Sequence, residues 1–417
     1  MTAISPSKPR QRVLLGIGGG IAAYKVCEVA STLAKLGVEV IPVMTAQAQR
    51  FITPLTLATL CRHPAATDSE FWQAGQSRPL HIELGETADL IILAPLTANT
   101  LGKLAHGLAD NLLTNVVLAS TCPVLLVPAM NTDMWQQQSV QRNWQQVQTD
   151  PRYHAIAPGA GLLACDRVGP GRMAEPSEIL AVADSLLLTQ GQRDLAGKHL
   201  LISAGGTQEY LDPVRFIGNP STGKMGVALA QAARDRGAVV TLVHGPIAAE
   251  HRTDLTGVRC LAVTTAAEMQ SALIAHLPQV DWIVMAAAVA DVKPRDYVPQ
   301  KLPKALLPEA LALSAVPDIA AHLAQLKHDR QVLIGFAAQT GDIEAPALKK
   351  LTSKGLDAIV ANPIDQPNSG FGGDTNQAVL LGKSGQRQVI PACSKRHLAH
   401  HIFDFVGKMS TVLLRPQ

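Results

Sequence analysis

Val13-Leu14-Leu15-Gly16-Ile17-Gly18-Gly19-Gly20-Ile21-Ala22-Ala23-Tyr24-Lys25 is the stretch on which the fold turns. Val13–Ile17 reads as a short buried strand and three glycines follow it. Ala22, Val26, Ala30, Leu33 and Leu36 then recur at helical spacing until Gly37 supplies a stop. A strand that enters a helix through glycines is the first turn of a doubly wound sheet, where N–H groups at the helix N-terminus hold a phosphate. The dinucleotide fingerprint G-x-G-x-x-G needs its third glycine where Ile21 stands, and an acid after a second strand that here ends Met44-Thr45-Ala46. NAD is therefore disfavoured and a mononucleotide phosphate fits. Taken alone, the glycines are equally compatible with a purely structural tight turn.

Outward from that turn, apolar runs of strand length alternate with helical periodicity, the pattern of βαβ units and a mostly parallel sheet. Val38–Met44, Leu90–Pro95 and Val124–Pro128 are the next strands, with helices near 99–120 and 132–147. Polar Thr189–Asp194 reads as a linker, after which the pattern restarts. His199–Ala204, Val239–Val243, Trp282–Ala286, Val332–Phe336 and Ala358–Val360 read as strands, with helices near 223–236, 266–277 and 343–355. Ala378–Leu381 and Gln388–Ile390 flank Gly382-Lys383-Ser384-Gly385 as a hairpin. The expected fold class is α/β: two doubly wound, mostly parallel, Rossmann-like domains, 1–190 and 191–417.

The 417 residues are 47% apolar and 17% charged, which suits two folded domains better than one core or a disordered chain. A net charge of +3 gives no warrant for nucleic acid or an anionic membrane and suits phosphorylated small molecules. No apolar run approaches the roughly 20 residues of a membrane span, and no secretory signal opens the chain. Six scattered cysteines without a C-x-x-C pair point to reduced thiols in a cytoplasm.

Gly218-Asn219-Pro220-Ser221-Thr222-Gly223-Lys224-Met225-Gly226 is a second glycine-rich turn. It has the spacing of a kinase P-loop, yet Met225 stands where a Mg²⁺-binding Ser or Thr is required. As glycine-rich backbone opening a helix at Lys224 it still suits a phosphate.

Five further segments carry a resemblance: Gly20–Lys25, His81-Ile82-Glu83-Leu84, Ala94-Pro95-Leu96-Thr97-Ala98-Asn99, Pro128-Ala129-Met130-Asn131 and Leu163–Met173. Together they resemble the flavin-dependent phosphopantothenoylcysteine decarboxylases. The resemblance implies FMN, which oxidises the substrate's thiol to a thioaldehyde so that the electrons left by carbon dioxide have an acceptor. It implies His81 as the proton-moving histidine, Asn131 as the neutral amide that binds the substrate carboxylate, and Cys165, in a mobile flap, as the acid that protonates the enethiolate. Gly18, Gly19, Gly20, Thr45, Asn99 and Met130 are the implied flavin contacts. Gly18 stands where the family has Ser, and Asp166 where it has Gly.

The second half resembles phosphopantothenate–cysteine ligase domains through Ser203–Thr207, Asp212–Arg215, Asn219 with Ser221–Gly226, Ala286–Asp291, Gly335–Ala338 and Ala361-Asn362. The bacterial fusion form implies CTP as co-substrate: phosphopantothenate attacks the α-phosphate and the cysteine amine displaces CMP. Implied roles are Asn219 for the acyl-cytidylate, Lys301 for the polyphosphate, and Asp291, at the end of a strand, for nucleotide and Mg²⁺. Ala287, Pro317, Asp318, Phe336, Lys350 and Lys354 complete the implied nucleotide set. Val316 stands where the family has Asn.

Two resemblances that name consecutive reactions support one bifunctional enzyme of coenzyme A synthesis, acting on small molecules in the cytoplasm. Two other classes remain in view: a flavin-binding, phosphatase-inhibitor-like regulator without catalysis, and an NAD(P) oxidoreductase, which Ile21 and the missing acid oppose. The resemblance also implies a homo-oligomer in which trimers and dimers combine as a dodecamer.

Overall fold

Five parallel strands in the order β2-β1-β3-β4-β5 form the sheet of the first unit: β1 Arg12–Ile17, β2 Glu39–Met44, β3 Leu90–Leu96, β4 Val124–Pro128 and β5 Tyr153–Ala155. The computed structural model describes residues 10–73, 78–162, 167–252, 255–307, 309–366, 370 and 372–413. Two compact units meet in sequence between Gln192 and Arg193. In the first, Ala23–Lys35 turns Ala23, Val26, Val29, Ala30 and Leu33 inward. Leu36 lies outside that stripe and is exposed, because Gly37 takes φ +87° and ends the helix. The helical pattern over 99–120 resolves into Ala98–His106 and Leu112–Ala119, interrupted where Gly107 turns left-handed at φ +67°. That over 132–147 splits into Thr132–Gln136 and Gln138–Val147. A two-stranded ribbon, β6 Gly159–Leu162 with β7 Val168–Arg172, follows β5.

The second unit introduces β8 His199–Ala204, β9 Gln208–Asp212, β10 Arg215–Gly218, β11 Val239–His244, β12 Val258–Ala262, β13 Trp282–Met285, β14 Val292–Pro294, β15 Leu313–Ala315, β16 Val332–Gln339, β17 Ala358–Pro363, β18 Thr375–Gly382 and β19 Arg387–Ser394. Its main sheet runs β12-β11-β8-β13-β16-β17-β18-β19. The strands from β12 to β17 are parallel, and the β18/β19 hairpin adds an antiparallel edge. Gly226 lets helix Lys224–Asp235 sit on β8, since a Cβ there would lie 2.3 Å from that of Ala204. Asp357 anchors the β16/β17 start: its carboxylate accepts from Leu333 N–H at 2.8 Å and pairs with Lys327 and Lys383.

The C-terminal helix, Lys395–Leu413, carries no turn signal that marks it in the sequence. It buries Leu398, Ala399, Ile402, Phe403 and Val406 in the core that also takes up helix Lys224–Asp235. Charges at this contact are paired. Arg396 pairs with Asp235, which also accepts from Arg234 at 2.9 Å, and Arg236 pairs with Asp194 and with Asp404 at 2.8 Å. His400 is fully buried among them. Burial pushes its imidazole down to about 4; the Asp235 charge opposes the shift, while Arg236, Arg396 and His397 reinforce it. A histidine lowered on folding binds its proton in the unfolded chain first. Stability is therefore whole above about pH 6.5 and lost as pH falls toward about 4, by up to about 1.4 kcal/mol per pH unit. Urea midpoints of the second unit should decline from pH 6.5 to 5. The variant His400→Gln should flatten that slope, leaving only the smaller share of half-buried His401, which is lowered in the same sense. An unchanged slope would remove His400 as its source.

Candidate functional site

In each unit the chain leaves the first strand to build one flank of the sheet and later returns to build the other. The two neighbouring strands at that reversal, β1 with β3 and β8 with β13, splay their following loops apart at the C-terminal ends. A crevice opens at each reversal. That of the first unit has a volume of about 760 Å³ and that of the second about 480 Å³.

Gly18, Gly19 and Gly20 turn the chain from β1 toward helix Ala23–Lys35 between two neighbouring loops. Gly18 N–H donates to Pro95 O at 3.1 Å, and a Cβ at Gly18 would lie 2.5 Å from that oxygen. A Ser has no room here, so Gly18 belongs to the wall behind the crevice. A Cβ on Gly19 would come within 2.3 Å of Gln47 Cβ, whereas Gly20 is open and lines the cavity with Gly19. The helix that follows has no side-chain cap and no acid in its first turn. Glycine backbone and an uncapped helix end fit a mononucleotide phosphate.

Met130 and Asn131 form the facing wall. Met130 N–H donates to Gly171 O at 3.0 Å, and Gly171, at φ +142°, leaves no space for a side chain against Met130 O. Asn131 caps helix Thr132–Gln136 through its side-chain oxygen, which accepts from Asp133 N–H at 2.8 Å. Lys25 also lines the cavity and is held by Glu175 at 3.0 Å. It ends the segment Gly20–Lys25 that carries the resemblance, two residues into the helix.

Three expected residues lie elsewhere. Thr45 is buried and spent on backbone, donating to Ile17 O at 3.3 Å and accepting from Ala48 N–H at 3.2 Å. Asn99 is exposed on helix Ala98–His106, and it is Thr97 and Ala98 that reach the cavity. His81 sits on helix Leu80–Thr87, edge-on to Phe71 at 5.3 Å, with Nδ1 buried and unbonded among the described residues, and it does not line this crevice. Cys165 and Asp166 lie outside the described residues.

The second crevice collects Asn219, Ala287, Asp291, Pro317, Asp318, Phe336, Lys350 and Lys354 from five separate segments. Asn219 is set by its amide, which donates to Val289 O at 3.0 Å and Ala288 O at 3.4 Å. Asp291 does not end a strand: β13 stops at Met285, and Asp291 closes the loop that enters β14. Asp318 caps helix Ile319–Leu326 and pairs with Lys354 at 3.0 Å. Partial burial by itself would raise its carboxyl, but the Ala321 N–H and Lys354 bring it below the ordinary range, so it stays ionised. Lys301 is exposed outside the crevice. Its loop is tied to the β9/β10 ribbon, where buried Asp212 accepts from Leu302 N–H at 3.2 Å and pairs with Arg215. Lys224, Asn376 and Lys395 also line the crevice. The last two stand on the hairpin and C-terminal helix, far along the chain from any glycine turn. No cluster of three His, Cys, Asp or Glu groups fit for a metal occurs among the described residues. None of the described helices is long and apolar enough to cross a membrane.

Residues 2–188 match the flavoprotein family model, and residues 195–409 match that of the DNA/pantothenate metabolism flavoprotein C-terminal domain. The chain is 42% identical over 400 residues to the coenzyme A biosynthesis bifunctional protein CoaBC of Bacillus subtilis, covering 96% of this chain and 97% of that one. It is 41% identical over 398 residues to the protein of that name from Vibrio cholerae, covering 95% and 98%. Among solved structures, the C-terminal domain of a coenzyme A biosynthesis bifunctional protein CoaBC is 37% identical, with 52% of this chain and 96% of that one covered and a TM-score of 0.43. With two α/β units, a phosphate-fitting turn at each sheet reversal and this likeness along nearly its whole length, the chain belongs to the family of bifunctional coenzyme A biosynthesis proteins.

Proposed function

We propose that the chain joins cysteine to 4′-phosphopantothenate with CTP in the crevice of residues 191–417, then decarboxylates the product to 4′-phosphopantetheine with FMN in that of residues 1–190. The observation that carries this reading is the near-full-length likeness to bifunctional proteins on a chain that keeps a glycine turn at both reversals.

In the ligase half the acid's carboxylate oxygen bonds to the α-phosphorus and pyrophosphate leaves; the cysteine amine then displaces CMP and gives up a proton. Asn219, fixed by two backbone carbonyls, presents its amide to the acyl-cytidylate. Lys350 and Lys354 line the crevice for the nucleotide's charge. Mg²⁺, when bound with the nucleotide, would have Asp291 as its protein ligand and would neutralise charge on the phosphates. Lys301, exposed on the neighbouring loop, is the cation for the polyphosphate.

In the decarboxylase half, Gly19, Gly20 and the opening of helix Ala23–Lys35 would hold the flavin phosphate, with Met130 on the facing wall of the cavity. FMN, when bound, supplies the two-electron redox chemistry needed to decarboxylate an acylated cysteine. Asn131 binds the carboxylate without a full positive charge, so it does not stabilise the anion that must be lost. His81 takes up the thiol proton and Cys165 returns one to the enethiolate. His81 lies away from the cavity of its own chain, which supports a site completed by a second copy. Exposed Phe51, Leu55 and Trp72 offer apolar surface for that copy. Trimers of the first unit joined through dimers of the second give a dodecamer, working in the cytoplasm. The presence of His81, Asn131 and Cys165 in one chain favours catalysis over a purely regulatory flavoprotein.

Mass spectrometry after mixing the protein with 4′-phosphopantothenate, cysteine, CTP and Mg²⁺ should show phosphopantetheine only when CTP is present. Persistent phosphopantothenoylcysteine would refute the decarboxylase step, and no product at all would refute both. The variant Asn219→Ala should abolish cysteine addition and still decarboxylate supplied phosphopantothenoylcysteine. Loss of both activities would argue against separate sites. The variant Asn131→Asp places like charge against the substrate carboxylate, so ligation should persist while carbon dioxide release drops at least about a hundredfold, as for a charge-assisted contact replaced by repulsion.

A further inference from the structure

Two thiols of the first unit meet across one helix contact, away from both crevices. Cys27 lies on helix Ala23–Lys35, and Cys61 is the last residue of helix Pro54–Cys61. The second helix is fixed at both ends: the Thr53 hydroxyl accepts from Thr56 N–H at 3.3 Å, and Arg62 turns left-handed at φ +56°. Its buried residues are Leu57 and Cys61, four apart and so on one face, and the helix packs on Ala23–Lys35 and on β2. Cys61 shares an apolar core with Ala23, Val26 and Ala30. Alanines at such a contact let two helices approach closely. Cys27 stands between Ala23 and Ala30 in the chain, half-buried at the margin of that stripe.

Both cysteines are free thiols, and Cys61 lies within electrostatic reach of Cys27. Burial, and after it the charge of Cys27, push the Cys61 thiol up to about 12, and burial raises Cys27 as well. Two thiolates therefore oppose each other here, whereas a disulfide is neutral and suits the apolar core. A disulfide needs Cα atoms roughly 4.4–6.8 Å apart, a span that helices in contact through small residues provide. Cys27, the more open of the two, is the thiol that an oxidant from solution meets. Cys61 behind it is placed to close the bond.

We propose that Cys27 and Cys61 are a reversible oxidation site, closed to a disulfide by a low-molecular-weight disulfide such as oxidised glutathione. The Cys27 thiolate attacks one sulfur of the oxidant and releases one thiol; Cys61 then attacks the Cys27 sulfur and releases the second. The protein pair loses two electrons, the oxidant gains them, and the two protons end on the released thiols. The link clamps helix Ala23–Lys35, which leaves the glycine turn, to helix Pro54–Cys61, which follows the segment whose Gln47 stands behind Gly19. It closes a loop between residues 34 positions apart by their numbers, long enough to constrain the unfolded chain. A bond of this kind in a reducing compartment is a sensor rather than a permanent staple.

The test incubates the native full chain with oxidised glutathione, traps the remaining thiols with a maleimide in denaturant, and maps peptides without reduction. A cross-linked peptide joining Cys27 to Cys61 should appear, and dithiothreitol should return it to two thiols. One thermal transition of the oxidised chain should rise by roughly 5–10 °C and fall back on reduction. The variant Cys27→Ser should leave Cys61 as a trapped thiol. The variant Cys61→Ala should stop at a glutathione adduct on Cys27, and in neither should oxidation move the melting temperature. Both thiols trapped by maleimide in the intact protein, or a lasting glutathione adduct on its Cys27, would overturn the site. A link that leaves the melting temperature unmoved would overturn the clamp. Should Cys61→Ala fail to fold, Cys27→Ser at the half-buried position carries the decision.

Discussion

Everything in this protein's chemistry depends on a constraint of parallel sheets. Parallel strands need crossovers, and where successive crossovers go to opposite sides, the loops at the strand ends part and cannot fill the space between them. Both units place their crevice there, between β1 and β3 in one and between β8 and β13 in the other. The loops at such a reversal are free to vary because the sheet beneath them is held by its own hydrogen bonds and by helices on both faces. Gly18 and Gly19 show how tightly the backbone is then pressed: a single added carbon would strike Pro95 O or Gln47. What the turns lose in side chains they gain in backbone N–H groups brought close to a ligand.

The two crevices treat charge differently. The first is mostly apolar, Met130 included, with the glycine turn, Thr97, Asn131 and Arg172 as polar features and Lys25 engaged by Glu175. Such surroundings suit a flat aromatic cofactor with one phosphate. The second gathers Lys224, Lys350, Lys354 and Lys395 around Asp291 and Asp318, an arrangement for several phosphates at once. Behind that crevice, the contact between helix Lys224–Asp235 and the C-terminal helix holds further charges in ion pairs, Asp235 with Arg396 and Asp404 with Arg236. The same helix therefore opens at the crevice with Lys224 and closes in an ion-paired core at Asp235.

Strands β1, β2, β3, β4, β8 and β11 were legible because runs of Val, Ile and Leu bounded by glycine or turn residues have few other structures open to them. Helix faces followed from spacing, as in Val26, Ala30 and Leu33. The C-terminal helix escaped this reading: its apolar stripe is interrupted by Lys395, Arg396 and His400, which look solvent-facing until their partners are seen. The strand β12 and the β9/β10 ribbon are likewise set by neighbours rather than by their own composition. Among site residues, those on the glycine turns and strand ends were legible, since local backbone places them. Sequence spacing does not report that the Thr45 hydroxyl is taken up by Ile17 O and Ala48 N–H, or that Asn99 is exposed on its helix.

By itself, the sequence determined that this chain is two α/β units whose glycine turns depart from the dinucleotide fingerprint at Ile21 and from the kinase P-loop at Met225, because period and turn residues are local facts. Only the tertiary structure decided that Lys395, 171 positions beyond Lys224 by their numbers, shares a wall with it, and that Lys301 and His81 stand apart from their crevices within one chain. Those outcomes depend on which strands become neighbours, and strand order is a property of the packed sheet, not of any segment in it.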